Sequence, residues 1–411
     1  MSLLVGGQAA VSKLRTNTLT CNLFGRLTAY SPGADYTCNV QMELMTGYLG
    51  IRIGIPNISA NAVPNVKCAI SAGTGFNASA AAIDVIPAGG SLINLTFGGA
   101  ASVTLTPRVS TNVPSFTWSD LIPVKSLTRA DGGILPTITV RAEYPSGSDV
   151  SVPQNGSYNW RGTTSKRQMR SSTQAVLGVT TPSAYTSNVC VDLFTMIPAV
   201  QYVTLNAGQQ VLSTGDSIEE GYGQGAGQYC LGAVGRACLL LSTPTNPIEH
   251  FNAGQSGQAP LVYSQCISSY TPQISPTAVI YSPYSINDVP AGGMNATAYA
   301  NLYTGLNRVL AAKLTSSQAS KLLLLEALPC NPVFRATAAG DQLRRDLNAW
   351  MTTLTGTTCI AGYAAAYNGT AGQDGNGQTL VQANLTIDGA HGTELGYDTL
   401  AIPVRQYIAA L

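Results

Sequence analysis

Charge is scarce in this chain. Of 411 residues, 21 are Lys or Arg and 20 are Asp or Glu, 10 % in all, against roughly 25 % in an average soluble protein. The polar surface must therefore be built from Ser, Thr, Asn, Gln and Gly. That composition suits an exported or particle-borne protein better than a cytosolic enzyme. A net charge of +1 supplies no bulk attraction for nucleic acid. No apolar run approaches the ~18–20 residues needed to span a bilayer. The start, MSLLVGGQAAVSKLRTN, lacks the basic n-region and long apolar h-region of a secretory signal. Either a signal has been removed, or export takes another route, or the protein stays inside. Histidine is the scarcest chemical resource, with only His250 and His391. Two His without an H-E-x-x-H cluster argue against a zinc hydrolase, and no metal or cofactor is expected. The nine Cys are scattered with no C-x-x-C, and an odd count leaves at least one thiol unpaired within the chain. Cys230 and Cys238 fall on one expected helix, about 12 Å apart at 1.5 Å per residue, too far for a bridge. Other pairs, such as Cys21 with Cys38, stay open, and free buried thiols are preferred to a disulfide framework.

What is present changes character near residue 200. Before it come short β-rich runs such as TLTCNLFGRLTAY, YTCNVQMELM, YLGIRIGI and PTITVRAEY, separated by Gly, Pro, Asn and Ser. Their spacing predicts an all-β sandwich, jelly-roll-like, over 1–200. Its last part, 146–188, is rich in Ser, Gly, Thr and Asn and reads as a long polar connection. The basic run SKRQMR within it reads as charged surface. Over 201–411 strands alternate with helices. QVLSTG, IEHFN, TAVIYSPY and KLLLLEALP read as strands. GQYCLGAVGRACLLL, AYANLYTGLNRVLAAKL, AAGDQLRRDLNAWMTTL and LGYDTLAIPVRQYIAAL read as helices. That alternation predicts an α/β domain with a parallel sheet covered on both faces, with ligands at the carboxyl ends of its strands.

Chemistry can be sought at those ends. In VLSTGDSIEEGYG, Gly215 lets the chain leave its strand sharply. Ser217 then stands where main-chain N–H groups have no helical partner and the dipole favours negative charge. It is either a displayed nucleophile or a helix N-cap. His250, inside IEHFN, reads as a packed structural residue. His391, in TIDGAHGTELGY, follows Asp388 by three. A carboxylate on one ring nitrogen fixes the tautomer and stabilises the imidazolium formed when the other nitrogen takes a serine proton. FNAGQSGQ places Gly254 after a strand, where a main-chain N–H can approach a ligand. YSINDVPAGG places Asn287, a side-chain donor suited to an oxyanion, at another strand mouth. Each has a plain alternative as a turn or capping residue. Their order along one α/β domain favours the chemical reading.

From about residue 205 onward the sequence resembles the SGNH hydrolases, also called the GDSL esterase/lipase family. GDSI at 215–218, NAGQSG, SIND and DGAH are similar to its four blocks, in order, over about half the chain. Ser285 stands where the family commonly has Gly. The resemblance implies a flavodoxin-like three-layer domain and an ester substrate. It implies Ser217 as nucleophile, His391 as base and Asp388 as its partner. It also implies an oxyanion hole from the N–H groups of Ser217 and Gly254 and the side chain of Asn287. The preceding β-rich half resembles exported members with a sandwich ahead of the catalytic domain. Short acyl groups, acetyl on carbohydrate above all, are the favoured substrate, because no long apolar lid surrounds the blocks. A general carboxylesterase, lipase or thioesterase stays open, as does a non-catalytic binding protein of a particle surface. Oligomeric state is left undetermined.

Overall fold

The computed structural model describes residues 18–23, 27–31, 36–44, 48–72, 92–111, 113–124, 137–153, 157–158, 168–171, 199–204, 206, 208–223, 228–229, 232–243, 245–283, 287, 304–309, 321–331, 337–373 and 379–411. They form two compact units, the main body of the first being Arg26–Gly208 and that of the second Gln209–Ser242 with Ile248–Leu411. The strand Ala199–Thr204 thus belongs to the β-rich unit, which ends at Gly208.

The first unit is antiparallel. One group of strands runs Thr18–Leu23, Ala199–Thr204, Tyr48–Asn57, Ser115–Trp118. A second runs Gln168–Ser171, Tyr36–Glu43, Thr137–Tyr144, Val63–Ala72, Leu92–Asn94. Ile51, Ile53 and Ile55 alternate along one strand and are fully buried, as the two-residue period of a strand requires. Gly54 lies beneath Trp118, whose ring would sit 2.9 Å from any added Cβ. Within 146–188, Val150–Pro153, Ser157–Tyr158 and Gln168–Ser171 are strands. The last covers the end of the basic run SKRQMR and pairs with Tyr36–Glu43. Apart from 146–149, the remainder of that polar stretch lies outside the described residues.

The second unit holds a five-stranded parallel sheet. Its strands in chain order are Gln209–Thr214, Ile248–Asn252, Ala278–Tyr281, Lys321–Leu325 and Thr358–Ile360. In space they run second, first, third, fourth, fifth, which is the flavodoxin-like order with its switch point between the first and third strands. Alternate residues serve opposite faces. Val211, Ile280, Leu323 and Leu325 join a core with the helices Ala233–Leu241, Tyr363–Tyr367 and Glu394–Ala409. On the other face Phe251 packs on Tyr270 and Tyr281 on Tyr263, from the helices Gln265–Ile274 and Pro260–Tyr263. The expected helix at 227–241 begins only at Ala233, after Gly232, and Cys230 lies outside the described residues. Of the expected helix 298–314, residues 304–309 are described and helical. The fifth strand, the helix Tyr363–Tyr367 and the hairpin Asn368–Gln373/Thr379–Val381 had no counterpart in the sequence reading.

Among the described residues Cys266 and Cys359 are free thiols, and Cys68, Cys238, Cys266 and Cys330 are buried. No described helix is long and apolar enough to cross a membrane.

Candidate active site

The first strand ends at Thr214, and Gly215 must be small for a reason other than turn geometry. Its φ is not positive, but an added Cβ would sit 2.7 Å from Cβ of Glu219. The chain can fold a helix directly over its own strand only if nothing projects there. Asp216, not Ser217, caps that helix: its Oδ1 accepts the N–H of Ile218 at 2.9 Å, as an N-cap carboxylate does. Ser217 is therefore the first residue of the helix Ser217–Glu220, and its hydroxyl is not committed to capping. Gly221, at φ 93°, ends the helix after one turn, as a left-handed glycine C-cap does.

Ser217 is 4 % exposed, and its Oγ lies 2.8 Å from His391 Nε2. Nδ1 of the same ring lies 2.6 Å from Asp388 Oδ2. Because the carboxylate accepts at Nδ1, the hydrogen resides there and Nε2 is left to accept the Ser217 hydroxyl. Asp388 is itself held. Its Oδ1 accepts the N–H groups of Ala390 at 3.0 Å and His391 at 2.8 Å. Burial raises the Asp388 carboxyl, yet the hydrogen bonds from His391 outweigh it and hold the group below the usual aspartate range. Gly389, at φ 98°, turns the chain between the two residues. Thr386 Oγ1 accepts the Gly389 N–H at 2.8 Å and donates to the His391 carbonyl at 2.9 Å. Three residues thus suffice to bring an acid onto a ring without a second element. Tyr222 packs its ring edge-on against the imidazole, centroids 4.7 Å apart, and Tyr397 Oη donates to its carbonyl at 2.5 Å.

The expected oxyanion donors fall less uniformly. The N–H of Ser217 has no partner among the described residues and lies at a helix N-terminus, where the dipole favours negative charge. Gly254 is buried, and its N–H donates to Asn252 Oδ1 at 2.8 Å. An added Cβ there would meet Glu220 N at 2.7 Å, so this glycine is required for packing against the helix Ser217–Glu220. Gly257, three residues on, is exposed with φ 72° and nothing within 4 Å of a Cβ. Its N–H has no partner among the described residues. Asn287 is exposed, and its Nδ2 donates to the Gln258 carbonyl at 3.2 Å, which ties that carboxamide to the loop carrying Gly257. The second glycine of NAGQSG was the signal that sequence reasoning passed over.

This loop is clamped to the nucleophile turn. Gln255 N–H donates to the Gly215 carbonyl at 2.9 Å, and Ser256 N–H to Glu220 Oε2 at 2.7 Å. Asn252 Nδ2 donates to the Glu219 carbonyl at 2.9 Å. His250 is buried in the second strand, with its Nε2 on Ser213 Oγ at 2.6 Å. No group of three or more His, Cys, Asp or Glu suited to a metal occurs among the described residues.

No family profile matches this sequence, and no curated protein matches it. Solved structures are similar to about half of the chain. An acetylxylan esterase from Geobacillus stearothermophilus is 19 % identical, with 49 % of this chain and 95 % of that one covered and a TM-score of 0.36. A lipase/acylhydrolase from Enterococcus faecalis is 16 % identical, with 49 % and 96 % covered and a TM-score of 0.35. A GDSL-like lipase from Bacteroides thetaiotaomicron is 21 % identical, with 49 % and 89 % covered and a TM-score of 0.35.

Proposed function

We propose that this chain is a serine ester hydrolase of the SGNH kind, acting through an acyl-enzyme. The observation that carries the reading is the unbroken contact from hydroxyl to imidazole to carboxylate, 2.8 and 2.6 Å, at the carboxyl edge of a parallel sheet beside its switch point. Ser217 attacks the ester carbonyl while His391 Nε2 takes its proton. Asp388 keeps the other ring nitrogen protonated and stabilises the imidazolium. The oxyanion is received by the N–H of Ser217 and by donors around the loop that Asn287 touches, Asn287 Nδ2 and the N–H of Gly257. Gly254, the glycine expected from the sequence, supports the nucleophile helix, its own N–H being bonded to Asn252. The imidazolium returns its proton to the leaving alcohol. Water, activated by the same ring, then releases the acid.

The substrate is a short acyl ester, acetyl on carbohydrate in first place. A nucleophile only 4 % exposed, paired with an imidazole against which Tyr222 packs edge-on, favours a small acyl group over a long chain. The test is a panel of aryl esters of rising acyl length, run beside acetylated polysaccharides with acetate release measured, and covalent labelling of Ser217 by an organophosphonate. Activity is expected with acetyl and labelling at Ser217. Activity confined to long acyl chains would overturn the substrate, and a folded sample that neither labels nor turns over any ester would overturn the enzyme.

A further inference from the structure

Beneath the nucleophile turn lies a second set of polar side chains that the triad does not use. Ser213, next to last in the first strand, has its Oγ 2.6 Å from His250 Nε2 in the second strand. Glu219 stands close to both, its carboxyl sensing the Ser213 hydroxyl and its Oε1 lying 3.9 Å from the same His250 nitrogen. All three residues are buried, and among the described residues neither Glu219 Oε1 nor His250 Nδ1 has a hydrogen-bond partner. Among the described residues no Lys or Arg pairs with Glu219. The other titratable groups facing it bring no positive charge. They are Asp216 on the same turn, Tyr363 from the helix beyond, and Glu220, turned away to the Ser256 N–H.

A carboxylate ionised in this position would stand bare in a low-dielectric interior. Burial accordingly pushes Glu219 up to about 8, with Asp216 adding to the rise and the Ser213 hydroxyl opposing it. Burial also draws His250 down to about 3. Both side chains are uncharged at neutral pH. Ser213 joins them, because a hydroxyl donates once and accepts with its lone pairs. The chain therefore ties the first strand, the second strand and the turn helix together. Glu219 lies two residues beyond Ser217 in a helix of four residues. A shift of Glu219 carries the nucleophile with it.

We propose that Glu219, Ser213 and His250 are positioning residues, an uncharged buried chain of contacts that holds the turn so that Ser217 faces His391, and that ionisation of Glu219 releases the turn and lowers turnover. The inference rests on the esterase reading for its turnover arm alone. Wild type, Glu219→Gln and Glu219→Leu are compared in kcat, KM and thermal-unfolding midpoint across pH. Gln keeps the shape and the donor but cannot ionise. Wild-type kcat is expected to fall above about pH 8, roughly tenfold per pH unit beyond the midpoint of a single ionisation. The Gln variant keeps kcat within about threefold of wild type at neutral pH and loses that alkaline fall. The Leu variant loses about tenfold or more in kcat with KM little changed. Between about pH 5 and 8 the unfolded chain ionises Glu219 while the folded one does not, so wild-type stability falls as pH rises. The unfolding midpoint of the Gln variant should therefore gain on wild type by a growing margin across that window. The same alkaline fall in wild type and the Gln variant overturns the positioning role. A margin that stays flat with pH overturns the uncharged chain, and does so even if wild type turns over no ester, an outcome that would separately end the esterase reading. Should the Leu variant fail to fold, the Gln comparison decides.

Discussion

Gly223→Ala is the sharpest test of how the imidazole is placed. Gly223 has φ 145°, a conformation that side chains rarely adopt. An added Cβ would lie 2.3 Å from the Gly392 carbonyl oxygen, where real contacts stay beyond 3.0 Å. The obstacle is main chain, so no rotamer change relieves it. The carbonyl must retreat by about 0.7 Å, the difference of those two distances, and it belongs to the residue directly after His391. If the ring follows, the 2.8 Å contact to Ser217 opens to about 3.5 Å, where a hydrogen bond is all but lost. A displacement approaching 1 Å costs up to about 10²-fold in rate, so a loss of about 10- to 100-fold in kcat on an aryl acetate is expected. The strained φ should also lower stability by about 1–3 kcal/mol. Gly362→Ala separates the two effects. Gly362 has φ 80° with nothing within 4 Å of a Cβ, so it shares the strain without the collision. It should lower the unfolding midpoint and leave kcat unchanged. A Gly223→Ala protein that stays within about threefold of wild-type kcat would refute the claim that this contact sets the position of His391.

Two further outcomes probe the remaining roles. Asp388→Asn keeps an oxygen for the Ala390 and His391 N–H groups but turns an amide donor toward Nδ1, reversing the tautomer. The unfolding midpoint should change little while kcat falls by about 10⁴-fold, and a fall of less than about tenfold in single-turnover kinetics would remove Asp388 from the mechanism. Asn287→Ala should lower kcat by about 10²- to 10³-fold, the usual effect of losing one oxyanion donor, with circular dichroism unaltered. Rates near wild type would exclude its side chain from the oxyanion hole.

The parts of this molecule that were legible from sequence are those in which neighbours along the chain decide the outcome. The alternation of apolar strands and amphipathic helices after residue 200 specified a parallel sheet, because short continuous apolar runs bounded by turn residues recur between longer segments of 3.6-residue period. The spacing of Asp388 and His391 sufficed to join acid and ring, since a turn of three residues closes on itself. What the sequence could not display was anything resting on contact between distant segments. Gly215 read as a sharp exit from a strand and Gly254 as an approach for a ligand, yet both are small because other residues, Glu219 and Glu220, occupy the space where a side chain would go. Gly254 read as an oxyanion donor until Asn252 was seen to hold its N–H. His250 read correctly as buried, but its partners Ser213 and Glu219 come from another strand and from the turn above it. The fifth strand, three residues long, carries too little pattern to announce itself and exists because the fourth strand offers it an edge. Local chemistry proposed the serine, the imidazole and its carboxylate. Only the packing of the strand ends against one another decided which glycine stays open, which histidine meets the serine, and which carboxyl group is buried beneath the turn.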